Sequence, residues 1–169
     1  MDAETTGPAD ILSLSREVGE LLRRKGLTLG VAESCTGGAI GDAITDIPGS
    51  SDYFLGGIVA YANTIKERLL GVPHETLEEH GAVSPEVAVA MAEGARRALG
   101  ADVALSATGI AGPGGATTKP VGLVYLGLAT PKGTRWQKTM GGGERLANKR
   151  TAVRAALQLL YAYLVGDER

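Results

Sequence analysis

The sequence contains little cysteine, few aromatic residues and no excess of positive charge, and this composition excludes several classes of protein. One cysteine in 169 residues excludes an internal disulfide framework and is typical of a reducing cytoplasm. The formal net charge of −2 argues against a nucleic-acid partner, which normally selects a strongly basic surface. No apolar run is long enough to cross a bilayer, and no basic run would bind a membrane surface. We therefore expect a cytoplasmic protein with neither nucleic acid nor membrane as a partner.

Hydrophobic periodicity predicts one domain over residues 10–169, preceded by a polar, flexible tail over residues 1–9. Helices alternate with strands along this domain, and the last two strands form an antiparallel hairpin. The predicted strands are residues 27–32, 53–61, 102–107, 121–130 and 135–140. This order predicts an α/β fold, a three-layer α/β/α sandwich around a mixed sheet of about five to six strands.

The stretch Gly30–Gly38 (GVAESCTGG) joins a predicted buried strand directly to a predicted helix. Polar side chains at such a junction lie at the carboxyl edge of the sheet, where open α/β sheets usually bind their ligands. The free N–H groups of the following helix point toward the same place. The alternative is that Ser34 or Thr36 only caps the helix. The stretch alone leaves both interpretations open.

Lys66 is the candidate general base, because no histidine lies in a plausible Ser-His-Asp set. Thr64 and Glu67 fit a capping box, which predicts Thr64 as N-cap and Lys66 at the second helical position. The positive end of the helix dipole would then lower the pKa of Lys66, and a lysine of lowered pKa can activate a serine. The alternative is an exposed surface lysine. Cys35, a thiol near a helix N-terminus, is either a second candidate nucleophile or a small buried residue.

We expect neither a metal nor a cofactor. His74 and His80 are six residues apart, which is not the i, i+4 spacing of a helical metal pair. The glycine-rich stretch 109–115 lacks the lysine of a P-loop pattern. It can present N–H groups to a phosphate or carboxylate, or it can be a plain connection between strands.

Four motifs in order resemble the CinA C-terminal domain family, whose stand-alone members are the PncC nicotinamide-nucleotide amidases. They are Ala32–Gly38, Tyr61–Asn63 with Lys66, His80–Ser84, and Thr108–Gly115. The resemblance extends from about Leu12 to Leu164. It implies hydrolysis of nicotinamide mononucleotide to nicotinate mononucleotide and ammonia in pyridine-nucleotide recycling, by a homodimer or larger homo-oligomer. Larger CinA proteins carry a further domain acting on ADP-ribose, and we expect that second activity to be missing.

The resemblance also implies the roles of single residues. Ser34 is the nucleophile, Lys66 takes its proton, and Tyr61 orients Lys66 or relays the proton. Independently of the resemblance, the backbone N–H groups of residues 35–38 are candidates to hold the oxyanion, because they lie at a predicted helix N-terminus. The implied substrate-binding residues are Glu33, Cys35, Thr36, Gly37, Gly38, Thr108, Gly109, Gly112 and Arg145. Where the family commonly has a second arginine this chain has Lys149, with Arg150 beside it, and which of the two faces the site is left open.

Two other functions remain as alternatives. A CinA-type domain can bind nucleotides or a protein partner with little turnover, and an amidase can act on a different pyridine amide. The presence of Ser34, Tyr61 and Lys66 together favours an enzyme, because a degenerate binding domain is expected to have lost at least one of them.

Overall fold

The computed structural model describes residues 10–114 and 118–166. The tail predicted over residues 1–9, residues 115–117 of the glycine-rich stretch and the last three residues of the predicted domain lie outside the described residues.

Six helices surround a five-stranded sheet in the described chain. The helices are α1 (Ile11–Lys25), α2 (Ala39–Thr45), α3 (Asn63–Leu70), α4 (His74–His80), α5 (Pro85–Leu99) and α6 (Arg145–Gly166). The strands are β1 (Leu29–Glu33), β2 (Phe54–Val59), β3 (Val103–Gly109), β4 (Leu123–Thr130) and β5 (Gly133–Met140), with a short 3₁₀ turn at Ser50–Asp52. Their order in the sheet is β2-β1-β3-β4-β5. β1 is parallel to both neighbours, whereas β3, β4 and β5 pair antiparallel, so the predicted mixed sheet and its hairpin are confirmed.

Successive residues of the central strands point to opposite faces of the sheet and enter different cores. Val31 and Leu105 pack with α1, α2 and α6 on one face. Their neighbours Ala32 and Ala104 pack with α3, α4 and α5 on the other. The predicted three-layer sandwich is therefore confirmed. Within the described residues, no helix is both long and apolar enough to span a membrane.

All five strands differ from the prediction by one or two residues at one end or both, and the ends of β1 and β3 bear on the site. β1 includes Glu33, and β3 continues to Gly109, so Thr108 and Gly109 belong to a strand and not to the loop. The reason for the longer β3 is its antiparallel partner, because β4 pairs with it as far as Gly109 opposite Val124. β2 contains a bulge, since its pairing with β1 skips a residue before Gly56, whose φ is 151°.

The start of α3 also differs from the prediction. Ala62 is the N-cap, without a side-chain hydrogen bond, and its carbonyl accepts from the N–H groups of Ile65 and Lys66, both at 3.1 Å. The predicted capping box at Thr64 is therefore wrong, because the first turn closes two residues earlier. Lys66 is the fourth helical residue, one turn into the helix. α5, by contrast, begins at a side-chain cap, since Ser84 Oγ accepts from the Val87 N–H.

Candidate active site

A cavity of about 300 Å³ opens where β1, β2 and β3 end. Ser34 follows β1, Tyr61 follows β2, and Thr108 lies near the end of β3, and all three line the cavity. Its size is at the lower end of the range for small-molecule sites. A larger cavity of about 570 Å³ lies between α4, α5 and Trp136, and its described lining contains no serine, cysteine or lysine. The candidate nucleophiles Ser34 and Cys35 and the candidate base Lys66 therefore all line the smaller cavity.

Ser34 and Lys66 come from different elements and meet in this cavity. The Ser34 N–H donates to the Ala107 carbonyl at 2.9 Å, so the residue continues the pairing of β1 with β3. Lys66 reaches from α3, and its Nζ donates to Ser34 Oγ at 3.0 Å and to the Tyr61 carbonyl at 2.9 Å. Only 8 % of Ser34 and 1 % of Lys66 are exposed. The structure thus brings together a hydroxyl and an amine that are 32 residues apart in sequence.

Burial shifts the pKa of both Lys66 and Cys35, in opposite directions. It lowers the pKa of Lys66 from its usual 10.5, because an ammonium loses its hydration in the protein interior. The predicted direction is right, but its cause is burial and not the end of a helix. Burial also raises the pKa of the Cys35 thiol to about 11. Cys35 is therefore protonated at neutral pH, which weakens it as a nucleophile.

Tyr61 contacts Lys66 through its backbone and Arg145 through its side chain. Its carbonyl accepts the hydrogen bond from Lys66 Nζ, whereas its side chain is exposed, and its hydroxyl accepts from Arg145 Nη2 at 3.2 Å. The orienting role implied for Tyr61 thus has a direct geometric basis in the main chain. The phenol, by contrast, is bonded to Arg145 and not to Lys66.

Arg145 begins α6 at the rim of the cavity. Its aliphatic stem lies against Gly112, where an added Cβ would come within 2.8 Å of Arg145 Cβ. One turn further along α6, the Lys149 amine lies 3.6 Å from the position that a Cβ would take on Gly37. Lys149 therefore approaches the loop that carries Ser34, whereas Arg150 is exposed. Arg145 thus gives the rim of the cavity a cationic side chain.

Four of the predicted substrate-binding residues do not line the cavity, namely Glu33, Thr36, Gly37 and Gly38. The buried Glu33 carboxylate accepts from the N–H groups of Ile40 at 2.8 Å and Gly41 at 3.1 Å, so it caps α2. Gly37 and Gly38 have φ values of 60° and 104°, which the turn between Ser34 and α2 requires.

The backbone N–H groups next to Ser34 differ in their availability. The Gly37 N–H donates to the Ser34 carbonyl at 3.1 Å. Those of Cys35, Thr36 and Gly38 have no hydrogen-bond partner among the described residues. They are accordingly the free donors nearest to the nucleophile.

Several lining residues were not predicted as site residues, namely Asn63, Ala82, Val83, Ile110, Ala111 and Gly114. Each lies within one of the four motifs, so motif membership was the signal that could have identified them. Thr108 Oγ1 donates to the Ala82 carbonyl at 2.7 Å and so joins two of these motifs. Over residues 10–114 and 118–166, no group of three or more His, Cys, Asp or Glu side chains could hold a metal ion.

Comparisons with known proteins agree with this architecture. The family model of the CinA C-terminal domain matches residues 11–164. A CinA-like protein of Geobacter sulfurreducens is 54% identical over 149 residues, which cover 88% of this chain and 36% of that protein. A CinA-like protein of Parasynechococcus marenigrum is 58% identical over 122 residues, covering 72% of this chain and 29% of that protein. The chain thus spans about a third of the length of these curated relatives.

Solved structures match over nearly the whole chain. The competence/damage inducible protein CihA from Agrobacterium tumefaciens superposes with a TM-score of 0.87 at 42% identity, covering 94% of this chain and 98% of that one. A CinA superfamily protein from Klebsiella pneumoniae superposes with a TM-score of 0.90 at 31% identity, covering 93% and 99%. The chain belongs to the CinA C-terminal domain family.

Proposed function

We propose that this domain is a nicotinamide-nucleotide amidase, which hydrolyses the carboxamide of nicotinamide mononucleotide (NMN) to a carboxylate and ammonia. The observation that carries the proposal is the buried contact of 3.0 Å between Lys66 Nζ and Ser34 Oγ. A serine hydroxyl is a weak nucleophile unless a neighbouring base removes its proton. Burial supplies that base by favouring the neutral amine of Lys66.

In the first half of the reaction, Ser34 Oγ attacks the carboxamide carbon while neutral Lys66 takes the hydroxyl proton. The Tyr61 carbonyl accepts a hydrogen bond from the same Nζ, which keeps the lone pair directed at Ser34. The tetrahedral intermediate collapses as Lys66 returns the proton to the leaving nitrogen. Ammonia departs, and the acyl group remains on Ser34 as an ester.

In the second half, water replaces ammonia in the cavity. Lys66 takes a proton from this water, which attacks the ester carbon, and Ser34 leaves with that proton. The free N–H group of Cys35, which lines the cavity next to Ser34, is the donor we propose for the oxyanion formed in both halves. Because both attacks need neutral Lys66, kcat/KM rises with pH through the lowered pKa of this residue.

The cationic rim favours an anionic substrate. Arg145 lines the cavity, and its guanidinium can bind two oxygens of one phosphate at once. We therefore assign the phosphate of NMN to Arg145, and the ribose to the wall formed by Thr108 and Gly109. The names of the relatives, a CinA-like protein and a competence/damage inducible protein, state no reaction, so the chemistry rests on the residues themselves.

The test is ammonia release from NMN without added metal, using the wild type, Ser34→Ala and Cys35→Ser. We expect turnover from the wild type and Cys35→Ser, and a loss of at least about 10³-fold for Ser34→Ala, since removing a nucleophile disables the whole unit. Thermal unfolding of each variant confirms that it is folded. A folded wild type that binds NMN but releases no ammonia would refute the amidase and support the nucleotide-binding alternative.

A further inference from the structure

Asn148 is a buried amide on α6, three residues after Arg145, and only 2 % of it is exposed. Its Nδ2 donates to the Ala111 carbonyl at 2.8 Å, and its Oδ1 accepts from the Gly143 N–H at 3.1 Å. Both ends of the side chain are therefore bonded to backbone outside its own helix.

These two bonds hold the two segments that flank Arg145. Ala111 directly precedes Gly112, against which the Arg145 stem lies. Gly143 belongs to the connection that leads from β5 into α6, two residues before Arg145. Asn148 is one helical turn after Arg145, on the same side of α6. One side chain thus ties the wall of the cavity to the start of the helix that carries the guanidinium.

An asparagine suits this position for a chemical reason. One segment offers a carbonyl and the other an N–H, and a side-chain amide supplies the complementary donor and acceptor. An apolar residue would fill the same space but would satisfy neither group. Because a buried amide is costly unless it is hydrogen-bonded, its benefit here lies in the geometry it imposes.

We propose that Asn148 is the positioning residue for Arg145, and that it determines the affinity of the site for the phosphate of the substrate without touching the reacting atoms. This inference rests on the proposed function, because it assumes that Arg145 binds the phosphate. The distance between Ser34 and Lys66 does not depend on Asn148, since α3 and β1 hold both residues. The effect of Asn148 therefore falls on binding and not on the chemical step.

The test measures KM and kcat of Asn148→Ala for NMN and for nicotinamide riboside, which lacks the phosphate. We expect KM for NMN to rise about tenfold, the size of one lost charge-assisted contact, while kcat changes less than about twofold. KM for nicotinamide riboside stays within about twofold of the wild-type value. If Asn148 had only a structural role, its replacement would raise KM for both substrates by the same factor.

A double-mutant cycle with Arg145→Ala separates positioning from general damage. In the Arg145→Ala background, Asn148→Ala should no longer raise KM for NMN, because the group that it positions is gone. Gly112→Ala disturbs the position of Arg145 without changing Asn148, because the added Cβ displaces the Arg145 stem. This variant should also raise KM for NMN, and it serves if Asn148→Ala does not fold.

The inference would be overturned if the effects of Asn148→Ala and Arg145→Ala on KM for NMN were additive, or if Asn148→Ala raised KM equally for both substrates. A wild type that binds NMN without releasing ammonia refutes only the proposed function. The same cycle is then measured as dissociation constants for NMN, with the same expected pattern, so the two failures are distinguishable.

Discussion

At the scale of single residues, the site buries an amine almost completely in the wall of the cavity. Lys66 is 1 % exposed, and its Nζ contacts only a hydroxyl and a carbonyl among the hydrogen bonds of the described chain. No carboxylate lies in those contacts to offset the lost hydration of the charge. The arrangement suits a base, but it costs the folded state free energy.

We therefore predict that Lys66→Met abolishes turnover and yet raises the free energy of unfolding by about 1–2 kcal/mol. Methionine fills the same space without a charge. The folded-state pKa of Lys66 is below its unfolded value of 10.5, so wild-type stability rises with pH between the two. The advantage of Lys66→Met should accordingly shrink as pH approaches 10.5, which urea denaturation at several pH values measures.

The matched control for this prediction is Lys138→Met, which removes an exposed lysine on β5. It should change the free energy of unfolding by less than about 0.5 kcal/mol, and its difference from the wild type should not depend on pH. A Lys66→Met variant less stable than wild type at neutral pH would contradict the idea that burial of this amine is costly.

At the scale of elements, the short helix α2 depends on a cap that comes from a strand. Its N-cap is Gly38, which has no side chain to accept a hydrogen bond. Glu33, the last residue of β1, supplies both carboxylate oxygens instead. Ser34 lies between this carboxylate and the helix, so the cap fixes both ends of the turn that carries the nucleophile.

We predict that Glu33→Gln lowers the free energy of unfolding by about 1–2 kcal/mol, because the amide replaces one of the two accepting oxygens with a donor. Urea denaturation measures the loss. Asp42→Asn is the control, since Asp42 is an exposed acidic residue in the first turn of the same helix. Equal stability of Glu33→Gln and wild type would show that the carboxylate does not hold α2.

Sequence predicted those elements whose signals are local. The alternation of helices and strands and the hairpin of β4 and β5 agree with the structure. The true start of α3 and the end of β3 depend instead on contacts that no short window contains. A Thr-x-x-Glu pattern looks like a capping box wherever it occurs, and only the surrounding fold decides whether the helix begins there.

At the scale of the whole molecule, the two reacting groups belong to opposite layers. Ser34 leads into α2 on one face of the sheet, while Lys66 is carried by α3 on the other. Sequence motifs could predict that this serine and this lysine were chemically suited to each other. Their separation of 3.0 Å requires α3 to be held in place, and α3 packs against α5. That packing depends on Gly94, which no sequence motif identified.

Gly94 lies in the middle of α5, and a Cβ there would overlap the Leu70 carbonyl at the end of α3. We predict that Gly94→Ala pushes α3 away, lowers the free energy of unfolding by about 1–3 kcal/mol, and reduces kcat at least about tenfold by moving Lys66 from Ser34. Ala98 is exposed on the same helix, so Ala98→Ser is a control with little effect on either quantity. Unfolding curves and ammonia release from NMN measure both effects. Loss of stability with an unchanged kcat would show that the contact between Lys66 and Ser34 does not depend on the packing of α3 against α5.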